Sequence, residues 1–161
     1  MIHPETQIGH VHLSVSELET SLKFYRDIMG FEVTARYGDS AVFLSAGGYH
    51  HHIGLNTWQS KDGPRPARGT TGLYHFAILF QTRLELAKTF KRLLDADWPI
   101  SGASDHGVSE AIYLEDPDGI GIEIYADRPK DQWKVGNDGI VEMVTEPLDV
   151  DNLLGELNQL S

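Results

Sequence analysis

One order of predicted elements occurs twice in this 161-residue chain, and it constrains the fold more than any other feature. In each copy the hydrophobic pattern predicts a strand, an amphipathic helix and three further short strands. The first copy spans about residues 8–58 and the second about residues 73–127, with a Pro- and Gly-rich linker at 59–72. The repeat predicts an α+β fold of two tandem βαβββ modules with the helices outside. We expect residues 1–127 to form a single domain, followed at 128–161 by a C-terminal tail with a short amphipathic helix.

Both predicted helices carry start signals. The segments "SELE" and "TRLE" have the Ser/Thr-x-x-Glu spacing of a capping box, in which Ser16 pairs with Glu19 and Thr82 with Glu85. Gly30 follows the apolar positions of the first helix and predicts its end. The sequence therefore predicts capped helices that begin after Ser16 and Thr82.

Composition narrows the classes of function. The net charge is −11 and the cationic residues are scattered, so phosphate backbones and anionic membrane surfaces are unfavourable partners. The chain has no cysteine, so only His, Asp or Glu side chains could hold a metal. No apolar run reaches the roughly 18 residues that span a bilayer, and the first residues lack the pattern of a secretory leader. We expect a cytoplasmic protein with a small-molecule partner, and neither a nucleic-acid nor a membrane partner.

Strand parity separates an apolar from a polar face in each copy. The alternation in "IGHVHLSV", "LYHFAILF" and "GIEIYAD" turns the apolar side chains toward the helices. The polar side chains left on the opposite faces are His10, His12, His52, Asn56, His75, Glu123 and Tyr125. His50 has the same parity but lies nearer the start of its strand, so parity leaves its place open. His51 has the other parity, and we expect it to point away from the polar face. A curved sheet would gather the polar set into one cavity.

This polar set has the donors of a metal site. Two imidazoles and one carboxylate match a facial triad, which leaves coordination positions open for substrate. His10 and His75 occupy the same place in the two copies, and Glu123 has the matching parity in the last strand. Parity alone leaves His12 as a rival to His10. These donors suit Fe(II), Mn(II), Ni(II), Co(II) or Zn(II).

Four segments, "GHVHLSV", "SLKFYRDIMGF", "LYHFAI" and "EDPDGIGIEIY", resemble the vicinal oxygen chelate superfamily. This superfamily includes glyoxalase I, extradiol catechol dioxygenases and fosfomycin-resistance proteins. The resemblance covers about residues 8–127 and implies that the paired βαβββ modules form a cupped, mixed β-sheet barrel with a metal in the cleft. It also implies that His10, rather than His12, is a metal ligand, together with His75 and Glu123.

The position of Gly54 bears on which chemistry the resemblance implies. Glyoxalase I-like members carry a fourth metal ligand, often Glu or Gln, on the fourth strand of the first module. The matching residue here is Gly54, which has no side chain to offer. This departure favours a three-ligand site, although His52 on the same face is an alternative fourth ligand.

A narrower resemblance, in "TTGLYHFAIL", "GASDHGVSEAIYLEDPDGIGIEIYADRP" and "TEPLD", is to the first half of bacterial catechol 2,3-dioxygenases. It implies that the His106–Gly107 pair and Tyr113 bind and polarise a catecholate. An acid/base histidine would correspond to His52 or His50. It favours Fe(II) or Mn(II), with Zn(II), Ni(II) or Co(II) as alternatives. The side chains expected to contact the substrate are His12, His50, Asn56 and Tyr125.

Three functions are compatible with these residues. The leading one is a metal-dependent extradiol-type dioxygenase that opens the ring of a catechol-like small molecule. The alternatives are a glyoxalase-like lyase, isomerase or transferase, and a non-catalytic small-molecule binding module. A homodimer is expected because two-module members commonly pair and the tail carries an apolar stripe in need of a cover. That stripe consists of Val150, Leu153, Leu154, Leu157 and Leu160.

Overall fold

The structure, a computed structural model, describes the backbone of residues 1–160 and the side chains of residues 1–158. The side chain of Leu160, the last member of the predicted apolar stripe, therefore lies outside the described residues. The chain divides into two compact units, a first unit from Met1 to Arg68 and a second unit that begins at Gly69. This boundary falls inside the predicted linker. That residues 1–127 form a single domain stays a prediction.

The first unit follows the predicted order of one strand, one helical segment and three strands. The strands are β1 (Val11–Ser14), β2 (Glu32–Tyr37), β3 (Ala41–Ser45) and β4 (Ile53–Asn56). Helix α1 (Leu18–Leu22) continues as a π-helix, Lys23–Ile28. The sheet order is β1-β4-β3-β2, with β1 parallel to β4 and the other neighbours antiparallel.

The second unit repeats this topology and adds one strand. Its elements are β5 (Phe76–Phe80), α2 (Arg83–Asp95), β6 (Ile100–Asp105), β7 (Ser109–Glu115) and β8 (Gly121–Asp127). The sheet order is β5-β8-β7-β6-β9, in which β5 and β8 are parallel and β9 (Glu146–Pro147) comes from the tail. The rest of the tail contains 3-10 turns at Lys130–Gln132 and Glu156–Leu160 and helix α3 (Val150–Gly155). The α+β class and the twofold βαβββ order predicted from the sequence are confirmed.

Alternation along β8 buries one face of the second sheet and leaves the other face partly exposed. In the second unit the buried set comprises Ile112, Leu114, Ile122 and Ile124 from the sheet and Leu86, Phe90 and Leu93 from α2. Each large apolar side chain buried in this way contributes roughly 1.5–3 kcal/mol. Covering the apolar face with α2 leaves the opposite face of this sheet for polar side chains.

The helix starts agree with the prediction in one copy only. The Thr82 side chain accepts a hydrogen bond from the Glu85 N–H at 3.2 Å, as a capping box requires. Helix α1 instead has Glu17 at its N-cap, without a side-chain cap, so the predicted Ser16 cap is wrong. The Ser16 carbonyl accepts from the Asp62 N–H at 3.0 Å, so the backbone at Ser16 is held by the segment after β4.

The longest helix, α2, has 13 residues. Across the residues that the structure describes, no helix is both long enough and apolar enough to cross a membrane.

Candidate functional site

The two histidines singled out by the repeat stand at equivalent points of the two units. His10 directly precedes β1 and His75 directly precedes β5. Strands β1 and β5 are the parallel edge strands of their sheets, next to β4 and β8. The equivalence of the two histidines therefore extends from sequence spacing to strand topology.

His75 and Glu123 lie side by side in the second unit. Their Nε2 and Oε2 atoms are 3.0 Å apart, and their side chains are 30% and 15% exposed. Glu123 is on the face of β8 opposite the buried Ile122 and Ile124, as parity predicts. Two donor atoms that each bind one metal ion at about 2.1 Å, about 90° apart, are separated by about 3.0 Å. An imidazole nitrogen and a carboxylate oxygen at this separation fit two ligands of one divalent ion.

Tyr113 and His106 extend this pair into a chain of hydrogen bonds. Tyr113 lies opposite Glu123 in the β7–β8 register, and its hydroxyl is 3.3 Å from Glu123 Oε1 and 2.6 Å from His106 Nε2. On the far side of the imidazole, His106 Nδ1 is 2.8 Å from the Val144 carbonyl oxygen. A carbonyl only accepts, so Nδ1 carries a proton. The Tyr113 hydroxyl has one proton, so when His106 is neutral its Nε2 and Glu123 Oε1 are alternative acceptors for that proton.

The environment keeps the phenols of this face protonated. Burial, and then the charge and hydrogen bond of Glu123, raise the pKa of Tyr113 to about 12. Burial, followed by the charges of Asp127 and Glu123, also raises the pKa of Tyr125. Tyr113 is therefore a hydrogen-bond donor over the whole neutral range.

The loop that carries His106 is held by contacts that the sequence did not single out. Asp105 Oδ1 accepts from the Gly107 N–H at 2.8 Å, and Asp105 Oδ2 is 2.6 Å from Arg128 Nη2. Gly107 has a φ of 75°, a conformation that favours glycine. Burial opposes ionisation of Asp105, but the hydrogen bonds from Arg128 and Gly107 outweigh it and keep its pKa below the usual value. An Asp directly before a His-Gly pair was the one available signal for this turn.

In the first unit, Gly54 occupies the strand position that Glu123 occupies in the second unit, and the residue opposite it differs. The β1–β4 register sets Gly54 opposite His12, whereas the β5–β8 register sets Glu123 opposite Ala77. A Cβ atom at Gly54 would lie 2.9, 3.0 and 3.1 Å from the Cγ, Cδ2 and Nδ1 atoms of His12. The missing side chain at Gly54 therefore makes room for the imidazole of His12.

Aromatic rings surround His12. Its ring centroid is 5.8 Å from that of Phe43 and 5.5 Å from that of Trp58. Phe43 lies opposite Gly54, as Tyr113 lies opposite Glu123, so this register position has neither the carboxylate nor the phenol of the second unit. Trp58 is 57% exposed. On this face of the first sheet, the side chains near Gly54 are therefore the rings of His12, Phe43 and Trp58.

The three consecutive histidines lie before β4, where strand parity does not apply. The His51 ring is 4.4 Å from that of His10 and 5.0 Å from that of Phe43. The prediction that His51 points away from this face is therefore wrong, because β4 begins only at Ile53. His50 Nδ1 is 2.7 Å from His51 Nδ1. Burial, and then the nearby His10, lower the pKa of His51.

His52 and Asn56 are bonded within the first unit. His52 Nδ1 is 3.0 Å from Ser45 Oγ. The buried Asn56 side chain donates to the β1 backbone at 3.4 Å and accepts from the Trp58 N–H at 3.2 Å. The catalytic or substrate-binding roles expected of His12, His50, His52, His106, Asn56, Tyr113 and Tyr125 stay predictions.

In the described part of the chain, no group of three or more His, Asp or Glu side chains is arranged to hold a metal ion. The His75–Glu123 pair supplies two donors within the second unit. His10 belongs to the first unit, so its membership of a ligand set stays a prediction.

Known proteins share both the sequence pattern and the fold. Over 159 residues the chain is 42% identical to catechol-2,3-dioxygenase of Bacillus subtilis (strain 168), covering 96% of this chain and 53% of that protein. It is 33% identical over 129 residues to the manganese-dependent 2,3-dihydroxybiphenyl 1,2-dioxygenase of Geobacillus genomosp. 3, covering 77% of this chain and 38% of that protein. The chain therefore spans about half or less of these relatives' lengths.

A solved structure shares the fold. The crystal structure of a glyoxalase/dioxygenase from Nostoc punctiforme superposes with a TM-score of 0.65 at 19% identity, covering 80% of this chain and 97% of that one. At this identity the likeness concerns the fold alone. Residues 7–124 match the family described as the Glyoxalase/Bleomycin resistance protein/Dioxygenase superfamily. With this match over most of its length, its twofold βαβββ topology and its equivalent histidines, the chain belongs to the glyoxalase/bleomycin resistance protein/dioxygenase superfamily.

Proposed function

We propose that this protein is a metal-dependent, extradiol-type dioxygenase that opens the ring of a catechol-like small molecule. The observation that carries the proposal is the hydrogen-bonded chain of His75, Glu123, Tyr113 and His106 on one face of the second sheet. It joins a pair of metal donors to a neutral phenol and an imidazole. The dioxygenases among the relatives support the same chemistry.

We propose His75 and Glu123 as two ligands of the metal and His10 as the third. The support for His10 is its equivalence to His75 in the repeat. A divalent ion held in this way would supply Lewis-acid binding of two neighbouring substrate oxygens, with a position left for dioxygen. Fe(II) or Mn(II) is the proposed ion, and the manganese in one relative's name supports the latter. Zn(II), Ni(II) and Co(II) remain the alternatives.

We propose complementary proton-transfer roles for Tyr113 and His106. The Tyr113 hydroxyl stays protonated at neutral pH, so it can turn its single proton from Glu123 or His106 to a substrate oxygen that is losing its own proton. His106 holds a proton on Nδ1 and faces the site with Nε2, so Nε2 can take up that proton. The imidazolium formed would remain bonded to the Val144 carbonyl. Proton removal and charge stabilisation thus fall to two neighbouring groups.

In the first unit, we propose that the rings around His12 contact the substrate's aromatic ring. Phe43 and Trp58 flank His12 and offer apolar area next to imidazole nitrogen atoms. His52 is the proposed further acid/base group, since Ser45 occupies its Nδ1 and leaves Nε2 to the substrate. His50, Asn56 and Tyr125 complete the proposed set of substrate contacts.

The test is a panel of catechols with the full-length chain, loaded with Fe(II) or Mn(II) without oxygen and then exposed to air. We expect a yellow ring-opened product with at least one catechol. Tyr113→Phe and His106→Gln should each lower kcat by at least 10-fold while the bound metal is retained. His3→Ala, at an exposed histidine near the N-terminus, is the matched control and should change neither.

Two outcomes would contradict the proposal. Metal binding without ring opening would point to a glyoxalase-like lyase, isomerase or transferase. In such an enzyme His52→Ala should also lower the affinity for the metal. Catechol binding that persists in a chelator, without turnover, would point to a non-catalytic binding module.

We also propose a homodimer. Exposed apolar side chains of the tail, such as Ile140 at 66% and Met143 at 69%, support an assembly that covers them. Light scattering after size exclusion should give twice the mass of the chain, and a monomer at micromolar concentration would contradict this.

A further inference from the structure

We propose that the tail after β8 positions His106, through the backbone of Val144 and through a chain of ion pairs that ends at Asp105. Its catalytic consequence rests on the proposed function, whereas its structural content concerns the metal-free chain. Asp105, Arg128 and Val144 are positioning residues, since they act on His106 rather than on the substrate.

Val144 holds His106 at two points. Its N–H donates to the His106 carbonyl at 3.2 Å, and its carbonyl accepts from His106 Nδ1 at 2.8 Å. Its Cγ2 atom also lies 3.4 Å from the place a Cβ would take at Gly107. Both the main chain and the ring of His106 are therefore fixed by one residue of the tail.

The segment around Val144 is itself anchored on both sides. Before it, the Glu142 N–H donates to the Lys134 carbonyl at 2.9 Å, which closes a turn of the tail. After it, β9 pairs antiparallel with Ser104 and Asp105 at the end of β6. Backbone hydrogen bonds on both sides of Val144 therefore hold its carbonyl in position next to His106.

A chain of ion pairs holds the loop from the other side. Arg128 Nη2 is 2.6 Å from Asp105 Oδ2 and 2.8 Å from Glu110 Oε1. The Glu110 carboxylate is buried, with its side chain 6% exposed, and Oε2 is 2.5 Å from Arg83 Nε. Arg83 Nη1 in turn is 2.6 Å from Oε1 of Glu156, which directly follows α3. The two arginines and the carboxylates between them tie helix α2 and the end of the tail to the turn that carries His106.

These contacts determine which nitrogen of His106 is free to accept a proton. The hydrogen bond at one imidazole nitrogen sets the protonation of the other. With the Val144 carbonyl at Nδ1, the neutral ring is the Nδ1–H tautomer, and the unprotonated Nε2 faces Tyr113 at 2.6 Å. A loop released from Asp105 and Val144 would let the ring turn and mix the two tautomers.

The first experiment reads this tautomer directly in the metal-free, full-length chain. Long-range proton–nitrogen correlation spectra of ¹⁵N-labelled protein would be recorded over an alkaline pH series, and the tautomer would be read from the neutral ring. The His106 signals are the set absent from the spectrum of His106→Gln. We expect a protonated Nδ1 and an unprotonated Nε2. A neutral ring protonated on Nε2 would overturn the proposal.

Two variants test the ion pairs. Asp105→Ala and Arg128→Gln should shift His106 toward mixed tautomers and lower kcat on the order of 10- to 100-fold, with KM within about 3-fold. Asp105→Asn keeps an acceptor for the Gly107 N–H but loses the charge, so it should fall between Asp105→Ala and the wild type. The control is Asp95→Asn, at an exposed ion pair 2.5 Å from Lys91 on α2, which should leave both readouts unchanged.

The two proposals fail in different ways. If no catechol is opened, the proposed function fails, and the His106 spectra of the wild type and of Asp105→Ala still decide the positioning role. If Asp105→Ala keeps the wild-type tautomer and circular dichroism, the positioning role is overturned, whatever the activity.

Discussion

The close approach of His12 to Gly54 makes the effect of one methyl group predictable in sign. In Gly54→Ala, the added Cβ would lie 2.9–3.1 Å from three atoms of the His12 ring, closer than such atoms pack. The exposed ring can relieve the overlap by turning away. In doing so it leaves Phe43 and Trp58, whose centroids are 5.8 and 5.5 Å away.

Two opposing effects set the magnitude. Replacing a glycine inside a strand by alanine stabilises by about 0.5–1 kcal/mol, because the unfolded chain loses freedom. Loss of two ring–ring contacts costs about 0.5–1.5 kcal/mol each, or roughly 1–3 kcal/mol together. The loss is larger, so Gly54→Ala should destabilise the protein by about 1–2 kcal/mol.

The same substitution should change sign when His12 is absent. In a His12→Ala background, Gly54→Ala should stabilise by about 0.5–1 kcal/mol, which gives a coupling energy of about 2 kcal/mol between the two positions. The assay is equilibrium unfolding in urea, followed by tryptophan fluorescence and circular dichroism, for the four proteins of the cycle. Gly102→Ala is the matched control, because a Cβ at this strand glycine meets no atom within 4 Å.

This reasoning would be refuted if Gly54→Ala stabilised the wild-type protein as Gly102→Ala is expected to do. A coupling energy near zero would do the same, since His12 would then not occupy the space above Gly54.

Three further predictions concern the second unit. Glu110→Gln should destabilise by about 2 kcal/mol in urea, because it breaks two contacts of a buried carboxylate, although both arginines keep other partners; an unchanged midpoint would contradict this. Leu153→Ala truncates a fully buried side chain of α3, so it should lower the free energy of unfolding by about 3 kcal/mol. In calorimetry the melting temperature should fall by several degrees, and a shift below about one degree would mean that α3 is not packed. Because the folded pKa of Tyr113, about 12, lies above the unfolded value of 10.0, its contribution is complete below pH 10 and is lost as the pH rises toward 12. Tyr113→Phe should therefore lose less stability than the wild type between pH 9 and 11 in urea, and equal losses would contradict the raised pKa.

Strand parity predicted the faces of side chains inside β1 and β8 and of His75 just before β5, but it failed for His51. Leu13 is buried while His12 is exposed, and Ile122 is buried opposite the face of Glu123, as alternation requires. His51 differs because it precedes β4, so the period of two does not extend to it. The repeat correctly predicted equivalent positions for His10 and His75, although both lie directly before β1 and β5 and not inside the predicted strands.

The contacts that hold His106 could not be predicted from its neighbours in sequence. The Val144 carbonyl has no side-chain signature, and it belongs to a tail segment that is followed by the pairing of β9 with β6. Arg128 reads as an ordinary charged residue after a strand, yet it bonds Asp105 and Glu110 on two other strands. Such contacts depend on the tertiary arrangement of the second unit, which local patterns do not determine.

The central claim, that His75 and Glu123 hold a divalent metal, is tested most directly by metal stoichiometry. The full-length chain would be purified without a metal-affinity step, incubated without oxygen with Fe(II) or Mn(II), freed of unbound ion and subjected to elemental analysis. We predict about one equivalent of metal in the wild type and in His12→Ala, and its loss in His10→Ala, His75→Ala and Glu123→Ala, with circular dichroism unchanged. Undiminished metal in both His75→Ala and Glu123→Ala, or none in the wild type, would contradict the claim.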